Sequence, residues 1–167
     1  AIAVIGRLKD LEAVMAEHVG LRQGRIDLAV VSTAKYFIPM LLVQFGRLFP
    51  GIEIQLKIEN RDNIIGLMTR NEVDLVVMGR APAEMECSAT AFASNPLAIV
   101  AAPNHILTRR NNLPFSSLAD FRFVVREMGS GTRAAMERVF AENQTPLNVV
   151  MEMPSNETIK QAVMAGM

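Results

Sequence analysis

The chain has 167 residues, 50% of them hydrophobic, and its seventeen basic residues balance seventeen acidic ones to leave no formal net charge. That length suits one good core or two small lobes. The apolar content excludes a disordered chain, and the charge balance excludes the strong positive field of a self-sufficient nucleic-acid binder. With 5% aromatic residues, no Trp and eleven Met, the core must be built mainly from aliphatic side chains and Met, which suits α/β packing. The single Cys87 excludes an internal disulfide. No charged n-region and apolar h-region open the chain, and no apolar run approaches the roughly 18 residues that span a bilayer, so the cytoplasm is the expected compartment and no membrane is an expected partner.

In chain order, Val4, Leu8, Leu11 and Met15 share one seam of a helix over residues 1–23, either a short interhelical seam or a helix lying on its own domain. From Arg25 the period changes. Ile26 to Val31 is a short apolar run and predicts a buried strand, followed by Ser32 and Thr33 as a helix start. Leu41, Phe45 and Leu48 mark a helix face, with Pro39 tolerated near the first turn and Pro50-Gly51 ending the helix. Ile52, Ile54, Leu56 and Ile58 then alternate with Glu53, Gln55, Lys57 and Glu59, the pattern of a strand near a sheet edge. Asn60 is placed to cap a helix that turns Ile64, Ile65 and Met68 inward, and Val73 to Met78 returns as a buried strand. This β-α-β-α-β order predicts parallel pairing, so residues 24–95 form the first lobe of an α/β fold.

The second lobe, 96–167, has the same style. Leu97 to Ala102, bracketed by Pro96 and Pro103, predicts a strand at a lobe crossover, and Asn104 to Ser117 is polar and turn-rich. A strand over Phe121–Val125, a helix over Thr132–Asn143, a strand over Asn148–Met153 and a helix over Asn156–Ala165 follow. Ala165-Gly166-Met167 reads as a helix stop, and both ends of the chain look cut.

The turn Glu127-Met128-Gly129-Ser130-Gly131-Thr132-Arg133 lies between a strand and a helix. Glycines allow a tight turn there, and helix N-terminal N–H groups favour an anion, so the turn is either a phosphate or carboxylate seat or a structural turn capped by Ser130 or Thr132. A P-loop fails, because Arg126 and Thr132 stand where it needs Gly and Lys. Gly129, Gly131 and Ala134 match a weak dinucleotide fingerprint, with Glu152 near the place of the ribose-binding acid. Ser32-Thr33 and Pro154 to Thr158 are similar strand-to-helix junctions, and Arg80, Arg126 and Arg133 supply cations able to clamp an anion. Catalytic and metal constellations are absent from the pattern: His18 and His105 have no evident nucleophile, Cys87 is alone, and Glu84 and Glu86 read as a solvated acidic patch.

Taken together, these segments resemble a known family. Gly24 to Thr33, Phe45 to Ile52 and Gly66-Leu67 through Asp74-Leu75 look like the start of a LysR-type effector domain. Asn60-Arg61, Asn71 to Leu75, Met78-Gly79-Arg80, Arg126 to Arg133 and Met151 to Val163 resemble the regulators of Calvin-cycle (RuBisCO) operons, which control carbon dioxide fixation. The resemblance implies a two-lobed fold like type 2 periplasmic binding proteins, with a small-molecule cleft between the lobes and residues 1–23 as the tail of a linker helix. It also implies that the winged helix-turn-helix and the C-terminal return to the first lobe lie outside this sequence. By the same resemblance, effector contacts fall on Ser32, Thr33, Arg80, Asn95, Ser130, Gly131, Thr132, Arg133 and Asn156, and Arg126 joins them as an expected contact through its place among the clamping cations. No cofactor is implied; the effector is an anionic metabolite such as a sugar phosphate, phosphoenolpyruvate or NADPH. Expected partners are a second copy, as homodimer or tetramer, and DNA only through the absent N-terminal domain. A periplasmic solute receptor of the same fold is the alternative, whereas an enzyme would need a general base that the sequence does not offer.

Overall fold

The computed structural model describes residues 23–167, so the helix seam of Val4, Leu8, Leu11 and Met15, and His18 with it, lies outside the described residues. The described residues divide into two compact units, one ending at Met85 and one running from Glu86 to Met167.

In the first unit, β1 (Gly24–Val31) is the centre of a three-stranded parallel sheet in the order β2-β1-β3, with β2 at Ile52–Glu59 and β3 at Leu75–Val77. β1 is buried on both faces from Asp27 to Val30, as expected for a continuous apolar run in a parallel sheet. The alternating β2 is the edge strand, paired with β1 from Gly24↔Ile52 to Val31↔Glu59. A reciprocal pair of bonds ties β1 to the approach of β3: the Asp27 N–H donates to Asp74 Oδ2 at 2.8 Å, and the Asp74 N–H donates to the Asp27 carbonyl at 2.9 Å.

Helices cover both faces. Ser32–Tyr36 forms a 3₁₀ turn that leads into α1 (Ile38–Leu48), with Pro39 in its first turn. Leu28, Val30, Ala34 and Ile38 form one core cluster, joined by Leu42 and Ile54, while Ala29, Ile64 and Leu67 form the opposite one under α2 (Arg61–Thr69). Asn60 caps α2 as expected, its Oδ1 accepting from the Asn63 N–H at 3.0 Å. The inward face of α1 differs from the expected Leu41, Phe45 and Leu48: Ile38 and Leu42 face the core, and Leu41 and Leu48 are exposed. Apolar residues occupy nearly every side of this helix, so spacing alone does not select the buried face.

The second unit is built on two parallel strands, β4 (Arg122–Arg126) and β5 (Asn148–Met153), with helices α3 (Gly131–Glu142) and α4 (Asn156–Met164) following them. Its core gathers Leu118, Val125 and Phe140, and the Phe140 ring meets Phe115 and Phe123 edge-on at 4.9 and 5.1 Å. The turn-rich 104–117 segment carries two short 3₁₀ turns, Ile106–Arg109 and Phe115–Leu118. The strand expected at Leu97–Ala102 does not form. No strand pairs with it among the described residues, and Leu97, Ile99 and Val100 are half-exposed; a short apolar run becomes a strand only where a neighbour completes its hydrogen bonds.

Ile64, on α2, is fully buried, so Ile64→Ala should cost about 2–5 kcal/mol of unfolding free energy, whereas Leu97→Ala should stay within about 0.5 kcal/mol of the parent. Denaturant midpoints of the two variants check the contrast.

Candidate functional site

Each strand-to-helix connection of the second unit is short, and the two strands are parallel, so α3 and α4 both begin at the carboxyl edge of the same sheet. Helix N-termini carry partial positive charge and N–H groups with no acceptor inside the helix. The two starts differ in how those groups are met. At α4, Ser155 Oγ accepts from the Thr158 N–H at 3.0 Å, an ordinary side-chain cap. At α3, the N-cap residue Ser130 is 4% exposed and makes no side-chain cap bond. Its backbone N–H instead donates to the Glu127 carbonyl at 3.2 Å, closing the turn around Gly129, whose φ of 82° lies in the left-handed region that glycine tolerates. The first-turn amides of Gly131, Thr132 and Arg133 thus begin α3 without a side-chain acceptor from the cap.

Arg126, at the end of β4, has a side chain only 3% exposed. Its Nε and Nη2 donate to Glu127 Oε2 and Oε1 at 2.7 and 2.9 Å, a forked pair, and its Nη1 donates to Asn156 Oδ1 at 3.0 Å. The guanidinium joins the end of β4 to the first residue of α4. Arg133 makes a second joint: Nη1 donates to the Arg126 carbonyl and to Glu152 Oε2, each at 3.0 Å, and Nε donates to Glu137 Oε1 at 2.6 Å. The hydrogen bond to Glu137 holds the Arg133 guanidinium above its ordinary pKa. Because Glu152 is bound to Arg133, the acid that a dinucleotide fingerprint would offer to a ribose is engaged with the protein itself.

The structure therefore brings Arg126, Ser130, Gly131, Thr132, Arg133 and Asn156 together at one sheet edge, with both arginine side chains directed to neighbouring carboxylates. In the first unit, Ser32 and Thr33 follow the central strand and are half-buried; Arg80, past the end of β3, is exposed, and its carbonyl accepts a hydrogen bond from Arg61 Nη1. Asn95 is exposed in a segment without regular secondary structure. The His105 ring packs tilted against Phe121 with centroids 5.3 Å apart, and its Nδ1 accepts from the Leu107 N–H. Among the described residues no group of His, Cys, Asp and Glu could hold a metal ion, and no helix is long and apolar enough to cross a membrane. Sequence reasoning missed the pairing of Glu127 with the arginine next to it and of Glu152 with an arginine nineteen residues away, neither of which carries a periodic signal.

The LysR substrate binding domain model matches residues 20–167. The chain belongs to the LysR substrate-binding domain family. Within that family it is 40% identical to the HTH-type transcriptional activator CmpR of Synechocystis sp. over 96% of this chain and 53% of that protein. It is 43% identical to the HTH-type transcriptional regulator CbbR of Rhodospirillum rubrum over 98% of this chain and 54% of that protein. It thus spans about half the length of these curated relatives, which are named as transcriptional regulators and not as enzymes or solute receptors. The solved regulatory domain of Synechocystis PCC6803 CcmR, in complex with 2-PG, is 43% identical with a TM-score of 0.80, covering 84% of this chain and 68% of that one. The type 2 periplasmic-binding-protein-like α/β fold expected from the sequence is the fold of this LysR domain.

With Arg133 serving as a joint between α3, β4 and β5, Arg133→Ala should lower unfolding free energy by about 1 kcal/mol, the near half-exposure of both glutamates limiting the effect by solvent screening. Thermal or denaturant unfolding of the variant measures it.

Proposed function

We propose that this LysR domain is the effector sensor of a transcriptional regulator of carbon dioxide fixation genes, and that it binds a compact anionic metabolite. The observation that carries this reading is the uncapped start of α3 beside the Arg126-held Asn156, a set of N–H donors at the carboxyl edge of a parallel sheet, where α/β folds bind ligands. Ser130, Gly131, Thr132, the Arg133 backbone and Asn156 form the proposed seat, while Arg126 and the Arg133 side chain hold it in shape. Ser32, Thr33 and Arg80 offer a second donor edge in the first unit, and Asn95 is an exposed amide that remains a proposed contact. The names of CmpR and CbbR support a role in transcription regulation, and the 2-PG complex of CcmR supports a small-molecule effector over a bound cofactor. Sugar phosphates and phosphoenolpyruvate fit a seat of neutral N–H donors; NADPH is less well served, because Glu152 is turned to Arg133.

The regulator would work in the cytoplasm as a homodimer or tetramer, reaching DNA through a separate head domain. Effector binding need only shift a conformational equilibrium; no covalent chemistry is required. Exposed Met40, Leu41 and Val43 on α1, with Leu56 and Ile58 on the edge strand, supply apolar surface for self-association.

A thermal-shift titration tests the reading. At a hundred times its Kd, 2-PG should add about 2.7 kcal/mol, or roughly 5–10 °C in Tm. Thr132→Ala should bind 2-PG roughly tenfold more weakly or worse, with its ligand-free Tm within about 2 °C of the parent. A Thr132→Ala variant that binds 2-PG as tightly as the parent would sink the seat at α3.

A further inference from the structure

Asn156 was expected as a contact of unspecified polarity, and the structure determines which end of its amide is available. A guanidinium has donors only, so the atom 3.0 Å from Arg126 Nη1 must be the carbonyl oxygen Oδ1. The opposite orientation would set N–H groups against N–H groups. Arg126 cannot swing away to allow that orientation, because it is 3% exposed and its other two nitrogens are forked onto Glu127 at 2.7 and 2.9 Å. Asn156 Nδ2 has no partner among the described residues.

We infer that Arg126 and Glu127 act as a positioning pair that locks the Asn156 amide with its NH₂ outward, making Asn156 a specificity-determining donor that selects an anionic oxygen and rejects a ligand bearing an amine there. The inference rests on the proposed effector seat and goes beyond it by assigning polarity. Glu127 neutralises Arg126, so the pair contributes orientation rather than net positive charge to the ligand. Arg126 accordingly is a positioning residue and not the anion clamp expected of it. The ligand class that follows is a small anion held by neutral N–H donors, from the first turn of α3 and from Asn156.

The test uses the 167-residue chain with 2-PG and inorganic phosphate as probes, read by calorimetry and by melting without ligand. Asn156→Asp preserves the acceptor for Arg126 but replaces the outward NH₂ with a carboxylate oxygen. It should lose roughly a hundredfold or more in 2-PG affinity while melting within about 2 °C of the parent. Asn156→Ala, which removes the donor without adding repulsion, should lose about tenfold. Unchanged affinity in Asn156→Asp overturns the proposal. Should Asn156→Asp melt several degrees lower, Asn156→Ala decides below both melting points: an unchanged Kd overturns the proposal, and the tenfold loss upholds it. The positioning role has its own readout. Arg126→Lys keeps a charge beside Glu127 but loses the fork, so it should weaken 2-PG binding several-fold when Asn156 is present and not at all in the Asn156→Ala background. Equal losses in both backgrounds overturn the role of Arg126. A parent chain that binds neither probe instead removes the effector-seat reading itself, which separates the two failures.

Discussion

Arg126 lies at the end of β4 with almost all of its side chain out of water, and a cation in that setting must find its counter-charge and its hydrogen bonds locally. It finds them in the carboxylate next along the chain and in the amide of Asn156, thirty residues on. Breaking such a pair leaves one charge buried and uncompensated, a larger loss than the pair's net contribution to stability. The local structure is therefore obliged to keep Glu127 and Asn156 where they are. Glu127 in turn accepts, through its backbone carbonyl, the N–H that closes the turn into α3. One buried cation thus sets the relative placement of a strand end, a turn and the first residue of α4.

The remaining chemistry follows from parallel pairing. Two parallel strands deliver both following helices to the same sheet edge, so their N-termini add donors on one side only. Ser155 meets the donors of α4 with its own hydroxyl, while Ser130, in the same N-cap position on α3, does not. The difference between two otherwise similar serines is what gives one helix start an ordinary side-chain cap and leaves the other without one, which is where we propose that a ligand is received. Arg133 holds this edge against β5 through Glu152, which explains how a turn containing a left-handed glycine keeps its shape.

Much of the fold was legible in the sequence because it is written in periodicity. The buried run that became β1, the alternation of Ile52 to Ile58, the Asn60 cap and the strand at Asn148–Met153 each depend on neighbours close in sequence. The inward face of α1 was not legible, since Ile38 and Leu42 compete with equally apolar Leu41 and Leu48. Leu97–Ala102 failed as a strand for a tertiary reason, the lack of a partner among the described residues. At the site, residue types and junctions were readable, but pairings were not: Arg126 and Arg133 looked alike in sequence, and only the fold shows that one pairs with Glu127 and Asn156 and the other with Glu137 and Glu152.

The central claim is that the donors of the second unit, organised by Arg126, receive an anion. Its most direct test is a ¹⁵N-resolved NMR titration of the 167-residue chain with 2-PG. The account predicts that the Gly131, Thr132 and Arg133 backbone amides and the Asn156 side-chain NH₂ shift together, saturating with one Kd. Saturable binding that leaves these four signals unmoved would contradict it.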